Sequence, residues 1–234
     1  MSPTVPEPPF DSKMGTPEQN DQAKRKDIRA VILDYDQVLC HAPQKEQVER
    51  MASSFGIDRH TFWRLYEQNR APLDKGELAP AAYWKSLARD AGTRVDAFTI
   101  ERLEDLDVDM WDALDERLLE WVQRLRANGY KTALLANSQL RFVAHLRKNR
   151  PWLRLFDVCV FSSEVRLIKP DPAIFRCTLE KLGMEAPSVL FIDDRFSNVS
   201  VARSLGIESI KFTTPAQLNR ELKDLGFTHL VRIS

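Results

Sequence analysis

Two aspartates separated by one residue follow an apolar run near the start of the chain. Asp34 and Asp36 come directly after residues 30–33, whose sequence Ala-Val-Ile-Leu is typical of a buried strand. If the chain turns at this point, both carboxylates reach the mouth of one pocket, where one can attack a substrate and the other can transfer a proton. The pair alone is a weak signal, because Asp-x-Asp also occurs by chance in acidic loops.

Three further polar motifs follow, each directly after a short apolar run. They are Asn137-Ser138, Lys169-Pro170-Asp171-Pro172 and Asp193-Asp194. In a sheet of parallel strands, ligands bind outside the carboxyl ends of the strands. Because all four motifs occupy such ends, we expect them to form one site.

Strand-like and helical segments alternate after residue 115. Helical periodicity and capping residues predict helices over residues 116–127, 142–148, 171–183 and 199–205, and a last helix from Thr214-Pro215 to near residue 226. Short apolar runs predict strands over residues 28–35, 131–136, 156–161, 189–192 and 210–212. This alternation predicts right-handed crossovers and a parallel sheet covered on both faces, which is an α/β, Rossmann-like, doubly wound fold.

Residues 42–115 show helical periodicity and no strand pattern. Helical stretches occur around residues 48–55, 60–69, 80–91 and 97–106. We therefore predict a small all-helical cap, inserted after the first strand of a core formed by residues 27–41 and 116–234. Such an insert lies over the strand ends and can close over the site as a lid. Residues 1–26, rich in proline and poor in aliphatic residues, are predicted to be a flexible tail.

The overall composition is that of an ordinary globular protein. The 234 residues are 43% apolar, and 34 Lys and Arg balance 34 Asp and Glu, so the net charge is zero. This balance provides no drive toward nucleic acid or anionic membranes, and we expect neither as a partner. No apolar stretch approaches the ~20 residues of a membrane helix and the N-terminus lacks an apolar signal core, so we expect a cytoplasmic protein. The sequence leaves the oligomeric state open.

The three cysteines, Cys40, Cys159 and Cys177, are odd in number and lack CxxC spacing. Cys159 and Cys177 lie in apolar patterns, which favours buried, reduced thiols. Cys40 follows the aspartate pair closely, and a chemical role for it is the less favoured alternative.

The order of the four motifs resembles the haloacid dehalogenase-like hydrolase superfamily over roughly residues 28–226. Three longer segments and the helical insert resemble the branch that holds small sugar-phosphate phosphatases and the N-terminal phosphatase domain of soluble epoxide hydrolases. The segments are Phe161-Ser162-Ser163-Glu164-Val165, Lys169-Pro170-Asp171-Pro172-Ala173-Ile174-Phe175, and Phe191-Ile192-Asp193-Asp194-Arg195 with Asn198.

The resemblance implies a role for each of the clustered residues. Asp34 is the expected nucleophile, which forms an aspartyl-phosphate, and Asp36 is the expected general acid and base. Lys169 is expected to neutralise charge between Asp34 and the phosphoryl group. Asn137 and Ser138, together with Lys169, are expected to bind the phosphoryl group.

The resemblance also implies Mg²⁺ as the cofactor. Asp34, Asp193 and Asp194 are the expected ligands, with Asp36 as a further candidate, since a hard dication prefers oxygen ligands. The function that follows is a Mg²⁺-dependent phosphatase, whose partner is a small phosphorylated metabolite such as a sugar phosphate.

Three positions depart from the family pattern. Ala136 stands where the family usually has Ser or Thr, and Gln37 and Arg166 stand where Gly is common. A missing hydroxyl at residue 136 removes one contact to a phosphoryl oxygen, and Gln37 is unfavourable if its φ must be positive. Ser138 can compensate for Ala136, or it can simply cap the next helix. The departures keep a catalytically degenerate binding protein open as the alternative, and a 2-haloacid dehalogenase or phosphosugar mutase is less favoured.

Several other polar and aromatic residues have structural interpretations. We expect Asp171 and Asn198 to cap a helix or tie a loop, Glu164 to pair with Lys169 or another cation, and Arg195 to be solvated or structural. The acidic run from Asp105 to Asp115 is expected to form a solvated face or hinge, and the Trp residues at 63, 84 and 111 to fill the core of the cap. Candidates for touching the substrate from the cap are Arg64, Arg70, Lys75 and Tyr83.

Overall fold

Five parallel strands form the centre of the fold. The computed structural model describes residues 27–227 and residue 233, so the predicted tail over residues 1–26 lies outside the described residues. The strands are β1 (Ala30–Leu33), β2 (Lys131–Ala136), β3 (Val158–Phe161), β4 (Val189–Asp193) and β5 (Glu208–Lys211). Their order across the sheet is β3-β2-β1-β4-β5, and all four neighbouring pairs are parallel. The predicted doubly wound α/β fold is confirmed.

The helices of the described residues fall into two groups. The first group lies between β1 and β2: α1 (Lys45–Ser53), α2 (Arg59–Gln68), α3 (Arg70–Asp74), α4 (Pro80–Asp90), α5 (Ala97–Met110) and α6 (Glu116–Ala127). The second group connects the remaining strands and ends the fold: α7 (Leu140–Asn149), α8 (Ser162–Val165), α9 (Pro172–Leu182), α10 (Phe196–Ser204) and α11 (Pro215–Asp224).

Alternate residues of the strands face the two helical layers. In β1, Val31 and Leu33 belong to one apolar cluster, whereas Ala30 and Ile32 belong to a second cluster on the other face of the sheet. The first cluster continues without interruption into the aromatic residues of the insert, such as Trp84. The insert is therefore packed onto the core through apolar contacts, and burial on both faces explains why the strands are apolar throughout.

Several helix boundaries differ from prediction by a few residues, and one short helix of the insert was not predicted. α10 begins at Phe196, three residues before the predicted start, because Asn198 is polar yet buried and therefore interrupts the apolar pattern. α3 was not predicted, since it follows α2 after a single non-helical residue, Asn69. In contrast, α6 and β2 have the predicted bounds.

Two short stretches of chain run side by side where the insert meets the core. Cys40 pairs with Leu114 in an isolated antiparallel bridge, and His41 N donates to Ala113 O at 2.7 Å. These contacts support our proposal that the cap begins after residue 41 and ends at residue 115. Within the described ranges, no helix is both long and apolar enough to cross a membrane.

Candidate active site

The carboxyl ends of β1, β2 and β4 carry three of the polar motifs. The Lys169 motif reaches the same site from the loop between α8 and α9, so its predicted place directly at a strand end is wrong. Leu33 at the end of β1 is in register with Leu134 of β2 and Ile192 of β4. Asp34 N extends this pairing by donating to Ile192 O at 2.9 Å. The next residue on β4 is Asp193, so the first and last motifs become neighbours although they are far apart in sequence.

Lys169 lies at the centre of the site. Its ammonium group contacts Asp34 Oδ1 at 2.6 Å, Asp193 Oδ2 at 2.8 Å and Leu135 O at 3.0 Å. These three acceptors match the three donors of an ammonium group. The side chains of all three charged residues are at most 6% exposed, so solvent weakens their attraction little.

The charges of the buried cluster shift one another's titration. Burial disfavours the charge of Lys169, but Asp193 and Asp34 outweigh it and raise the pKa of Lys169 to about 12. Burial and then the charge of Asp193 raise the pKa of Asp34 well above its ordinary range. For Asp193, the attraction of Lys169 and several hydrogen bonds outweigh burial, and its pKa is lowered. The carboxylates exceed the cation in number, which favours a further positive charge.

Three carboxylates form a group suited to a metal ion. Oxygen atoms of Asp34, Asp193 and Asp194 lie within 4.8 Å of one another. Asp194 Oδ1 is buried without a hydrogen-bond partner among the described residues, as a ligand atom would be before a metal binds. Asp36, the fourth candidate ligand, is not in this group.

Two groups at the start of α10 fix the orientation of Asp193. Arg195 N donates to Asp193 Oδ1 at 2.8 Å, and Asn198 Nδ2 lies 2.9 Å from both carboxylate oxygens. Asn198 therefore ties the loop to the site, as predicted. Its buried amide leaves the carboxylate one fixed orientation.

The chain turns sharply after Asp34. Gln37 occupies the left-handed region with a φ of 56°, which costs a non-glycine residue about 1–2 kcal/mol. Its side chain donates to Asp194 Oδ2 at 3.3 Å, a contact that glycine lacks. Arg166 also has a φ of 56°, but it is exposed and lies outside the cavity at the site.

Asp36 lies within this turn and faces the cavity. Burial and then the charge of Asp74, a residue of the cap, raise the pKa of Asp36 to about 7. A carboxyl group with such a pKa can both donate and accept a proton near neutral pH. Asp74 also lines the cavity, so the cap contributes to the acid–base properties of Asp36.

The Asn137-Ser138 motif is divided between two tasks. Asn137 Nδ2 donates to Lys169 O at 3.0 Å, and Lys169 N donates to Asn137 Oδ1 at 2.9 Å, so this amide holds the Lys169 backbone. Ser138 lines the cavity, and the described part of the chain provides no partner for its hydroxyl. Gln139, not Ser138, caps α7, so the capping interpretation of Ser138 is wrong.

Ala136 is the last residue of β2 and is fully buried in the first apolar cluster. It does not line the cavity. Ser138, two residues further along the chain, does line the cavity, which supports the interpretation that its hydroxyl compensates for Ala136.

The cavity above the strand ends has a volume of about 170 Å³ and both core and cap residues in its walls. Its lining consists of Asp34, Asp36, Trp63, Tyr66, Glu67, Arg70, Ala71, Asp74, Trp111, Asn137, Ser138, Phe142, Ile168, Lys169, Arg195 and Asn198. Trp84 is confined to the core of the cap as predicted, whereas Trp63 and Trp111 reach the cavity. Arg195 also reaches it and approaches Glu67 of the cap at 3.5 Å.

A buried ionic network joins the cap to the loop after β2. Arg70 contacts Asp74 at 2.8 Å and Asp107 at 3.0 Å, and Tyr66 donates to Asp107 at 2.5 Å. Gln139, in the loop that follows Ser138, donates to Asp107 at 3.1 Å. The expectation that the whole acidic run is solvated is therefore wrong for Asp107, which pairs with Arg70, and for Asp115, which is buried where it caps α6.

A second link depends on Ser162, which lies in one of the segments that carry the family resemblance but for which no role was predicted. Its hydroxyl accepts from Ser138 N at 2.9 Å and donates to the carbonyl oxygen of Asp74. Gly76 of the insert packs closely against Ser163, the residue after Ser162. A Cβ added at Gly76 would approach Ser163 O to 2.8 Å. The only sequence signal for this link was the Ser162-Ser163 pair after β3.

The contacts also resolve the expectations for Glu164, for Asp171 and for the four substrate candidates of the cap. Glu164 pairs with Arg147 at 2.7 Å and not with Lys169, and Asp171 caps α9 as predicted. Of the substrate candidates in the cap, Lys75 pairs with Glu77 and Tyr83 is buried with its hydroxyl on Tyr66 O. Arg70 lines the cavity at the site, and Arg64 lies outside it.

The cysteines are all free thiols. Cys40 is buried, and this burial raises the pKa of its thiol far above the ordinary range. The thiolate that nucleophilic chemistry requires is therefore disfavoured, which argues against a chemical role for Cys40. Cys159 and Cys177 are only partly buried.

Replacing Arg70 by Gln should lower the free energy of unfolding by about 2–3 kcal/mol. The change leaves Asp74 and Asp107 without their cation, and the loss is below that of a fully buried pair because Arg70 is 16% exposed. Urea unfolding at pH 7 measures it, with Arg94→Gln, an exposed cap position, as the control. Equal unfolding midpoints for the two variants would show that the network contributes nothing.

Residues 28–206 match the family model of haloacid dehalogenase-like hydrolases. The chain belongs to this family. The predicted resemblance is thereby confirmed, and the motifs that carry it are the ones that converge at the strand ends.

Relatives in this family differ in what they do. The chain is 30% identical to drimenol cyclase of Aspergillus calidoustus over 212 residues, which are 85% of this chain and 36% of the cyclase. It is 22% identical to D-ribitol-5-phosphate phosphatase of Bacteroides thetaiotaomicron, over 83% of this chain and 97% of the phosphatase. Three curated relatives, the cyclase among them, are much longer than this chain. The matched part of the chain spans only 10%, 36% and 40% of their lengths.

A solved structure of a haloacid dehalogenase family enzyme from Bacteroides thetaiotaomicron has the same fold. It superimposes with a TM-score of 0.68 at 22% identity, over 80% of this chain and 95% of that one. The same enzyme has been solved in complex with magnesium and inorganic phosphate, with a TM-score of 0.63.

Proposed function

We propose that the protein is a Mg²⁺-dependent phosphatase that hydrolyses a small phosphorylated metabolite through an aspartyl-phosphate. The observation that carries the proposal is the position of Lys169, which lies within 2.8 Å of both Asp34 and Asp193 beside the Asp36 carboxyl. The D-ribitol-5-phosphate phosphatase among the relatives is consistent with a phosphorylated polyol or sugar as substrate.

The residues present fit a magnesium ion. Asp34, Asp193 and Asp194 would hold it, and the partnerless Asp194 Oδ1 is a suitable hard ligand. When bound, the ion would offset the repulsion between the Asp34 carboxylate and a phosphate dianion. The complex of the Bacteroides enzyme with magnesium and inorganic phosphate supports magnesium as the metal.

The side chains account for both chemical steps. In the first step, Asp34 attacks phosphorus while the bond from phosphorus to the leaving oxygen breaks, and Asp36 gives its proton to that oxygen. In the second step, Asp36 takes a proton from a water molecule that attacks phosphorus, which releases inorganic phosphate and restores Asp34. Lys169 attracts the phosphoryl oxygens, and the free Ser138 hydroxyl donates to one of them.

Phosphate release from a panel of sugar, polyol and small-acid phosphates tests the proposal. We expect release with Mg²⁺ and none with EDTA. Folded protein that binds Mg²⁺ but releases no phosphate from any compound would contradict phosphatase activity.

Mg²⁺ should also stabilise the protein, because it binds the folded carboxylate cluster and relieves its repulsion. At 100 times its Kd, the expected gain is about 2.7 kcal/mol in the free energy of unfolding. Asp194→Asn should weaken Mg²⁺ binding at least about tenfold in calorimetry, whereas Asp109→Asn, on the exposed side of α5, should leave it unchanged. Equal affinities would place the ion elsewhere.

The second candidate function is a binding protein without turnover, which Ala136 favours. Ala136→Ser distinguishes the two. For an active phosphatase with Ser138 in place, we expect kcat/KM to change by less than about tenfold. A rise in kcat/KM of about 10²-fold or more, from near zero, would equal the rate effect of one hydrogen-bond donor to the phosphoryl group. It would identify the natural site as degenerate.

A further inference from the structure

A second, larger cavity adjoins the reaction cavity. Its volume is about 960 Å³, against about 170 Å³ for the reaction cavity. Trp63 and Glu67 line both cavities, and Gln37, which contacts Asp194, lines the outer one. The outer cavity therefore begins at the entrance of the proposed active site.

One face of α2 leads from the reaction cavity into the outer cavity. His60, Trp63, Arg64 and Glu67 are spaced three or four residues apart and so lie along the same side of the helix. With a rise of 1.5 Å per residue, this face extends about 10 Å from Glu67 to His60. A ligand chain that leaves the reaction cavity at Glu67 can follow this face outward.

The outer cavity is basic. Its lining contains Lys45, Arg59 and Arg64 but only one carboxylate, Glu67, which faces Arg195 of the core at 3.5 Å. Lys45 approaches Glu49 of its own helix at 3.5 Å, so its charge is partly offset.

Arg59 and Arg64 make few polar contacts within the described part of the chain. The described part of the chain provides no hydrogen-bond or ion-pair partner for Arg59, and Arg64 makes only a long contact of 3.5 Å to Gln68. Both side chains are exposed. An exposed guanidinium group with few partners can form paired hydrogen bonds to a carboxylate or phosphate.

We propose that the outer cavity binds the distal part of the leaving group, and that this part carries a second anionic group held by Arg59 and Arg64. The inference rests on the proposed phosphatase function and specifies its substrate class. The substrate is an elongated phosphomonoester whose terminal carboxylate or phosphate lies between Arg64 and Arg59, about 5–12 Å along α2 from Glu67. Val48 and Trp63 provide apolar wall for the chain between the two anions.

Matched alkyl phosphates test this substrate class. Long compounds, of about ten carbons, end in methyl or in carboxylate, and a matched short pair of about three carbons is too short for its terminal group to lie between Arg59 and Arg64. For the wild type, we expect the terminal carboxylate to raise kcat/KM about tenfold in the long pair and to have no favourable effect in the short pair. In Arg59→Ala/Arg64→Ala, the long-pair ratio should fall to about two or below, because each exposed ion pair contributes only a few-fold.

Two controls separate this inference from the phosphatase proposal. Arg94→Ala/Arg102→Ala, which removes two exposed cap arginines outside both cavities, should retain the wild-type ratio. Calorimetry with the corresponding phosphonates, including one with a second phosphonate at its far end, measures binding without turnover and shows which anion is preferred. The ratio should decrease as ionic strength rises.

Each outcome decides the inference. A wild-type ratio near one, in turnover and in phosphonate binding, would overturn it, as would an unchanged ratio in Arg59→Ala/Arg64→Ala. If neither these compounds nor the sugar, polyol and small-acid phosphates are hydrolysed, the phosphatase proposal fails, and the binding ratio still decides whether the outer cavity recognises an anion.

Discussion

Replacing Asp34 by Asn should reduce phosphate release by about 10⁵-fold or more. The amide keeps the size of the side chain but lacks the nucleophilic oxygen, and loss of a nucleophile has effects of this order. The side chain of Asp34 is only 6% exposed and lies 2.6 Å from Lys169, so no other residue can take its place without rearrangement. The measurement is kcat on whichever phosphate ester the wild type hydrolyses best, with Mg²⁺.

The matched control is Asp109→Asn, the same substitution at an exposed position of α5. It should retain wild-type kcat. Near-ultraviolet circular dichroism should show that Asp34→Asn is folded. Activity above about 1% of wild type in Asp34→Asn would mean that Asp34 does not attack the substrate.

Replacing Lys169 by Met should have the second largest effect, because it damages both catalysis and stability. Without the ammonium group, Asp34 and Asp193 are buried next to each other with no cation between them. Breaking a buried ion pair in this way costs about 3–5 kcal/mol. Loss of the charge that faces the phosphoryl group should reduce kcat by at least about 10²–10³-fold.

Urea unfolding at pH 7 measures the stability, once in EDTA and once with Mg²⁺. The loss should be larger in EDTA, since a bound cation partly replaces the missing ammonium charge. Lys181→Met, at an exposed position of α9, is the control and should stay within about 0.5 kcal/mol of wild type. A Lys169→Met variant as stable and active as this control would contradict the central position assigned to Lys169.

The core of the fold could be predicted from sequence because its signals are local. Apolar runs that alternate with helical periodicity identify parallel strands, and each strand of such a sheet ends at the same edge. Asp34 and Asp193 therefore had to meet, although 159 residues separate them (193 − 34), whereas Lys169 reaches them from the loop between α8 and α9. Capping signals are local as well, which is why Asp171 was placed correctly at the start of α9.

The insert shows where local signals fail. Asp107 belongs to a run of aspartates whose spacing suggests a solvated face, yet it is 1% exposed because Arg70, Tyr66 and Gln139 surround it. Whether a carboxylate can be buried depends on a compensating partner, and this partner lies 37 residues away in sequence. Helical periodicity gives the face of a helix but not what packs against it.

The sequence by itself thus determined the reacting groups, the sheet that aligns them and the family to which they belong, since each depends on residue type and short-range spacing. Only the tertiary structure decided how the cap closes the cavity. Trp63 and Trp111 reach the site, and Ser162 contacts both Ser138 and Asp74, the latter 88 residues away in sequence. The physical reason is that burial and hydrogen bonding of such side chains are set by contacts between distant segments, which no local pattern records.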